Sequence, residues 1–373
     1  MASTDSTEHN ANNFDFVRFV AASAVLYSHC FALTGVGGDE PLVRWTNGEY
    51  TFGGIAVRIF FVISGFLVTR SWLRQPNIIA FASARCLRIF PALAVALAYC
   101  VLMGAITTTL PLRDFLTDSD TLRYYWHNLT LRTEFFLPGA FHANPTNAVN
   151  GSLWSLYYEM RAYIVTLAIG ALGLMLRPWL GVLVWATASL LMFQYPWLWG
   201  LTANDDWPVI NAYLCFVGGA LVALLPRSLA LSGYGAVATV LFLPIAIATP
   251  YSSVVADTFL VTGTLWFAHR RVPLLAHFGR HGDFSYGLFI YAFPTQQLIE
   301  SIWHIRSPYL MFVIAFPATL LLGILSWHCV ERPARDLKRY FRKRARLPSA
   351  RLPTGGGDET PRLDPNAIGG SSR

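Results

Sequence analysis

Charged residues are scarce: they make up 13% of the 373-residue chain, where soluble domains carry about 25%. So little charge argues against one large water-soluble core and for many membrane spans. The five cysteines include no Cys-x-x-Cys pair and fall mostly in apolar runs. They read as small buried thiols, with neither a disulfide framework nor a metal site expected. No glycine-rich phosphate loop of Walker or Rossmann type is present, and no internal repeat stands out. The opening MASTDSTEHNANN lacks the basic n-region of a cleavable signal peptide.

What fills the chain instead is apolar: 54% hydrophobic residues, with 12 Trp and 26 Phe. Windows of about 20 apolar residues predict ten helices. They lie near 14–34, 51–70, 87–107, 153–176, 178–195, 208–226, 230–249, 253–269, 284–304 and 308–330. The fold class expected is all-α, a polytopic transmembrane bundle. The net charge of +7 does not point to nucleic acid, because the basic excess sits on alternate short loops and in the tail after Glu331. By the positive-inside rule this asymmetry puts both termini in the cytoplasm. Three segments follow: a polar leader 1–13, a membrane domain 14–335, and a basic tail 336–373 rich in Gly, Pro and Ser, expected to be disordered.

Polar groups interrupt the apolar runs at a few places. The first span, FDFVRFVAASAVLYSHCFAL, carries Arg18 and His29, eleven positions apart. At 3.6 residues per turn they return to nearly the same helix face, about 16 Å apart along the axis. An arginine at mid-membrane costs on the order of 2.5–3.5 kcal/mol, so that face should meet protein or water rather than lipid. Arg58 lies within GGIAVRIFFVISGFLV, and Glu159 and Arg161 within NGSLWSLYYEMRAYIV. His29, Arg58 and Glu159 are expected at similar depth, with Arg18 near the inner end. Arg58 and Glu159 can form a structural ion pair or belong to a functional centre. The long loop 108–152, on the outer side and rich in Trp, His and Asn, is a second functional candidate.

The sequence resembles the membrane-bound acyltransferase 3 family, whose bacterial members acetylate the sugars of O-antigens, exopolysaccharides and Nod factors. The resemblance covers about residues 12–335. It rests on Arg18 and His29 with ten residues between them, FFVISGFL at 60–67, and the paired arginines of ARCLRIFPAL at 84–93. NGSLWSLYYE at 150–159, FSYGLFIYAFP at 284–294 and ERP at 331–333 complete the set in order. One departure is Ala292, where many relatives carry a histidine before the proline.

The resemblance implies transfer of an acyl group, commonly acetyl, from cytoplasmic acyl-CoA to a sugar hydroxyl, in a multi-pass protein of the bacterial inner membrane. A hydroxyl is a poor nucleophile near neutral pH, and a histidine with an unperturbed pKa of about 6.5 is suited to act as its base. His29 is the candidate. Glu159 is placed to orient it; Arg58 either holds Glu159 or stabilises an oxyanion. Arg85 and Arg88, three apart, could grip the donor's phosphates, with Arg18 beside them. Trp126, Trp154 and Tyr286 offer faces for the acceptor carbohydrate. The expected partners are acetyl-CoA, a carbohydrate acceptor and membrane lipid, with no metal and no nucleic acid. The rival is a transporter or flippase, against which stands the lack of matching broken helices in the two halves.

Overall fold

A computed structural model describes residues 12–175, 207–225, 252–270 and 278–337, together with scattered positions at 177–187 and 272–275. The described residues form eight long helices and no strand. They are α1 (Phe14–Leu33), α2 (Phe52–Arg74), α3 (Ile78–Thr107), α4 (Trp154–Ala171), α5 (Trp207–Leu224), α6 (Ser252–His269), α7 (Ser285–Trp303) and α8 (Pro308–Ser326). The helices expected at 178–195 and 230–249 fall largely or wholly outside the described residues, as do the leader up to residue 11 and the tail after 337. Among the described residues four helices are long and apolar enough to cross a membrane: α1, α2, α3, and α8 with its continuation to Asp336.

Local chemistry sets the helix starts. Thr51 Oγ1 accepts the Gly54 N–H at 2.8 Å and opens α2, and Asn77 Oδ1 accepts the Ala80 N–H at 2.8 Å and opens α3. Each satisfies an N-terminal donor that the helix itself cannot. The second of these corrects the sequence reading: α3 begins about nine residues before position 87, where its hydropathy window opened. Arg85 and Arg88 therefore sit two to three turns inside a helix and not at its start.

Small residues bring the helices together. A Cβ on Gly65 of α2 would fall 2.0 Å from the Phe216 carbonyl oxygen of α5, and one on Gly219 would fall 2.2 Å from that of Val62. The two backbones are thus in direct contact, the arrangement by which apolar helices gain packing where lipid offers no hydrophobic incentive. Gly287 and Gly323 do the same for α7 and α8.

At the centre lies α7, buried along nearly its whole length. Its buried residues include the polar Thr295, Gln296, Gln297 and Glu300. Pro294 lacks the N–H that would bond the Ile290 carbonyl four residues back. Asn150 Nδ2 donates to that carbonyl at 2.9 Å in its place. Gln296 Nε2 donates to Leu26 O of α1 at 2.9 Å, and Gln297 Nε2 to Ala148 O at 2.5 Å. These bonds fix α7 against α1 on one side and against the 131–150 segment on the other.

The long loop is not wholly irregular. It contains helices Leu112–Thr117 and Ser119–Leu129, the second returning Tyr125 Oη to the Ala94 carbonyl of α3 at 3.4 Å.

Candidate functional site

Three cavities lie in series along α1, each sharing lining residues with the next. The largest, about 420 Å³, is lined by His29, Tyr50, Arg58 and Trp154 among others. Val57 and Phe289 line both this cavity and a constriction of about 40 Å³, whose wall also holds Phe60, Glu159 and Tyr286. Arg18 and Arg88 in turn line both the constriction and a third cavity of about 160 Å³, where Arg85 and Arg335 join them. The end of the bundle at which α1 begins is thus the arginine end, and the end at which it finishes is the histidine end.

His29 projects from α1 beside Phe293 of α7, ring centroids 5.0 Å apart and nearly perpendicular. Its Nδ1 is buried and has no hydrogen-bond partner among the described residues, so the ring meets the cavity by its other edge. Gly151 keeps Phe293 in place, for a Cβ there would fall 2.6 Å from the Phe293 ring. The segment 34–51 closes over this cavity through Glu40. That buried carboxylate accepts Ser28 Oγ of α1 at 2.8 Å and the Phe52 N–H of α2 at 2.5 Å.

Arg58 is paired with Asp257 of α6 at 3.0 Å, both side chains largely buried. Its guanidinium carbon also lies 5.3 Å from the Tyr50 ring centroid. The ion pair with Glu159 considered from the sequence is therefore not formed. Glu159 instead accepts Ser64 Oγ of α2 at 2.8 Å and the Tyr163 hydroxyl. It lines the constriction rather than the His29 cavity and makes no hydrogen bond to the imidazole. The expectation of one common depth for His29, Arg58 and Glu159 fails for Glu159, which sits nearer the arginines.

At the arginine end Asp283, just before α7, accepts Arg18 Nη1 at 2.8 Å and lies 3.5 Å from Arg88 Nη2. Its other oxygen accepts Ser285 Oγ at 2.5 Å. A buried carboxylate shared by two guanidiniums settles a charge that would otherwise be costly at this depth.

Of the aromatic residues proposed for an acceptor, Trp154 lines the histidine cavity. Trp126 does not: it is 59% exposed on the loop helix and packs edge-on against Tyr125. Tyr286 lines the constriction and donates its hydroxyl to Ile89 O at 3.1 Å, which makes it part of the wall. Sequence reasoning missed Asp257, Asp283 and Arg335. Asp257 did carry a signal, being the one acid of its own apolar span, 253–269. The pairing of Asp283 with Arg18 is tertiary, 265 residues apart.

The described residues offer no cluster of His, Cys, Asp and Glu suited to a metal ion. The arrangement supplies a histidine facing a roomy cavity, a narrow neck, and an arginine-lined cavity beyond it.

A sequence model described as an acyltransferase domain, that of acyltransferase 3, matches residues 12–328. The chain is 32% identical over 348 residues to an O-acetyl transferase of Shigella phage Sf6, covering 87% of this chain and 96% of that one. It is 28% identical over 374 residues to Nodulation protein 10 of Rhizobium leguminosarum bv. viciae, covering 89% and 96%. No solved structure matches.

Proposed function

Since the chain belongs to the acyltransferase 3 family and is a membrane O-acyltransferase, we propose that it moves an acetyl group from acyl-CoA at the arginine end to a carbohydrate hydroxyl at the histidine end. The observation that carries this reading is the series of cavities: one helix presents Arg18 to the basic mouth and His29 to the large cavity, with a narrow apolar neck between.

The residues fit such a donor. Guanidiniums bind phosphate through paired N–H donors, and a cavity of about 160 Å³ admits a phosphate group while excluding a nucleoside. The neck, walled by Val57, Phe60 and Phe289, suits an extended pantetheine chain. His29 takes the acceptor's hydroxyl proton as that oxygen attacks the thioester carbonyl carbon; the C–S bond then breaks, and the leaving thiolate receives that proton back from the His29 imidazolium. Arg58, at the cavity wall, is the cation nearest this chemistry and stabilises the developing oxyanion. Asp257 fixes its geometry. Glu159 acts from the neck, holding Ser64 and Tyr163, and does not orient His29. Trp154 gives a sugar ring an apolar face.

The positive-inside count supports placing the arginine end in the cytoplasm of a bacterial inner membrane, with the acceptor arriving from the other side. The name of the phage relative supports acetyl as the group moved.

Purified protein mixed with acetyl-CoA and candidate glycans tests the reading. Wild type should form an ester that His29→Ala forms at least about 100-fold more slowly, the usual worth of a general base. A His29→Ala variant that is folded and fully active would overturn it.

A further inference from the structure

Four arginines line the basic mouth, and they fall into two electrostatic classes. Arg18 and Arg88 share Asp283, which is itself saturated by Ser285. Arg85 and Arg335 have no carboxylate within ion-pair distance among the described residues. Each lies over an aromatic ring instead: Arg85 over Phe81, with 4.1 Å from guanidinium carbon to ring centroid, and Arg335 over Trp327, at 4.8 Å. An arginine seated on a ring keeps N–H donors around its rim for a second partner; of those on Arg85, Nη1 donates to the Phe81 carbonyl of its own helix at 3.3 Å.

These two come from separate parts of the fold. Arg85 lies within α3. Arg335 lies on the short helix Arg332–Asp336, which follows a π-helical turn, Trp327–Glu331, at the end of α8. That turn is anchored where Ser326 Oγ donates to the buried Glu331 at 3.0 Å. Among the described residues no acid neutralises the pair by direct contact, yet both line one cavity of about 160 Å³, below the roughly 300–1,000 Å³ of pockets that enclose whole small molecules. Such a site calls for a compact anion attached to something larger that stays outside.

We propose that Arg85 and Arg335 are the pair that grips the donor's diphosphate, while Arg18 and Arg88, cross-linked by Asp283, are the positioned wall against which it rests. This rests on the reading that the donor is an acyl-CoA. It reassigns the grip from the Arg85–Arg88 pair suggested by spacing along one helix to a pair formed across two.

The test is calorimetric binding of CoA, of dephospho-CoA, which keeps the diphosphate and should behave as CoA does, and of pantetheine, which lacks the diphosphate and the nucleotide, to the purified full-length chain in detergent. Wild type should prefer CoA to pantetheine. Arg335→Ala and Arg85→Ala should each weaken CoA binding by about tenfold or more, the loss expected for one charge-assisted hydrogen bond, and leave pantetheine binding where it was. Arg335→Lys should recover much of the CoA affinity. If Arg335→Ala binds CoA as tightly as wild type, or loses CoA and pantetheine affinity in equal measure, the assignment is wrong and Arg335 is structural. Equal wild-type affinity for CoA and pantetheine would also overturn it. Wild type that binds no CoA would overturn the acyl-CoA reading along with it.

Discussion

At the arginine end of the passage two guanidiniums share one carboxylate, while at the histidine end the imidazole has no protein partner among the described residues. The contrast follows from what each end must do. A buried permanent charge left unpaired costs several kcal/mol, and here Arg18 and Arg88 share Asp283 while Arg85 and Arg335 rest on aromatic rings. A histidine can stay neutral, and a neutral ring tolerates an apolar setting such as the edge of Phe293. The arginine end is therefore built as a fixed electrostatic frame, and the histidine end as a packed ring facing open space. Between them Arg58 follows the arginine rule: it sits in the histidine cavity but brings Asp257 with it.

The largest effect should come from breaking the frame. Asp283→Ala leaves Arg18 and Arg88 facing each other without the carboxylate they share and should cost about 3–5 kcal/mol of stability. A detergent thermal melt would read this as a large fall in midpoint, and Arg18→Ala in the same background should restore part of it. A smaller loss is expected where the histidine end is shaped. Asn150→Ala leaves the Ile290 carbonyl opposite Pro294 without its donor and should cost about 1–3 kcal/mol; Asn150→Asp, which cannot donate there when ionised, should do no better. Smallest is the difference between two tryptophans. Trp154→Ala should raise the acceptor KM several-fold, in keeping with about 0.5–1.5 kcal/mol for a ring contact. Trp126→Ala, on the exposed loop helix, should change kcat/KM by less than about threefold. Equal effects at the two would mean that acceptor binding extends onto the loop.

Much of this plan could be read from the sequence, because a membrane helix announces itself by length and hydropathy. Eight of the expected spans coincide with the described long helices, even α7, whose Gln296, Gln297 and Glu300 lower its hydropathy. The shared face of Arg18 and His29 was likewise a matter of helical period alone. The partners of the charges were not legible. Arg58 meets Asp257 across 199 residues and Arg18 meets Asp283 across 265, and spacing along one helix says nothing about which neighbour packs against it. Pairing Arg58 with Glu159 by similar depth failed for this reason. Depth is one coordinate, and the helix face and the choice of neighbour are two more. The start of α3 was missed because hydropathy windows register apolar content, while Asn77 begins the helix by its cap, ahead of the apolar run. Trp126 lies outside the His29 cavity because its loop folds into a helix that leaves the ring exposed.

In the proposed reaction donor and acceptor enter the passage from opposite ends. This is tested most directly by reconstituting the protein into sealed vesicles of known orientation, with radiolabelled acetyl-CoA and glycan acceptor confined to chosen sides. Labelled ester should form when acetyl-CoA faces the arginine end and the acceptor faces the histidine end. Equal product with both reactants confined to the histidine side of intact vesicles would contradict it.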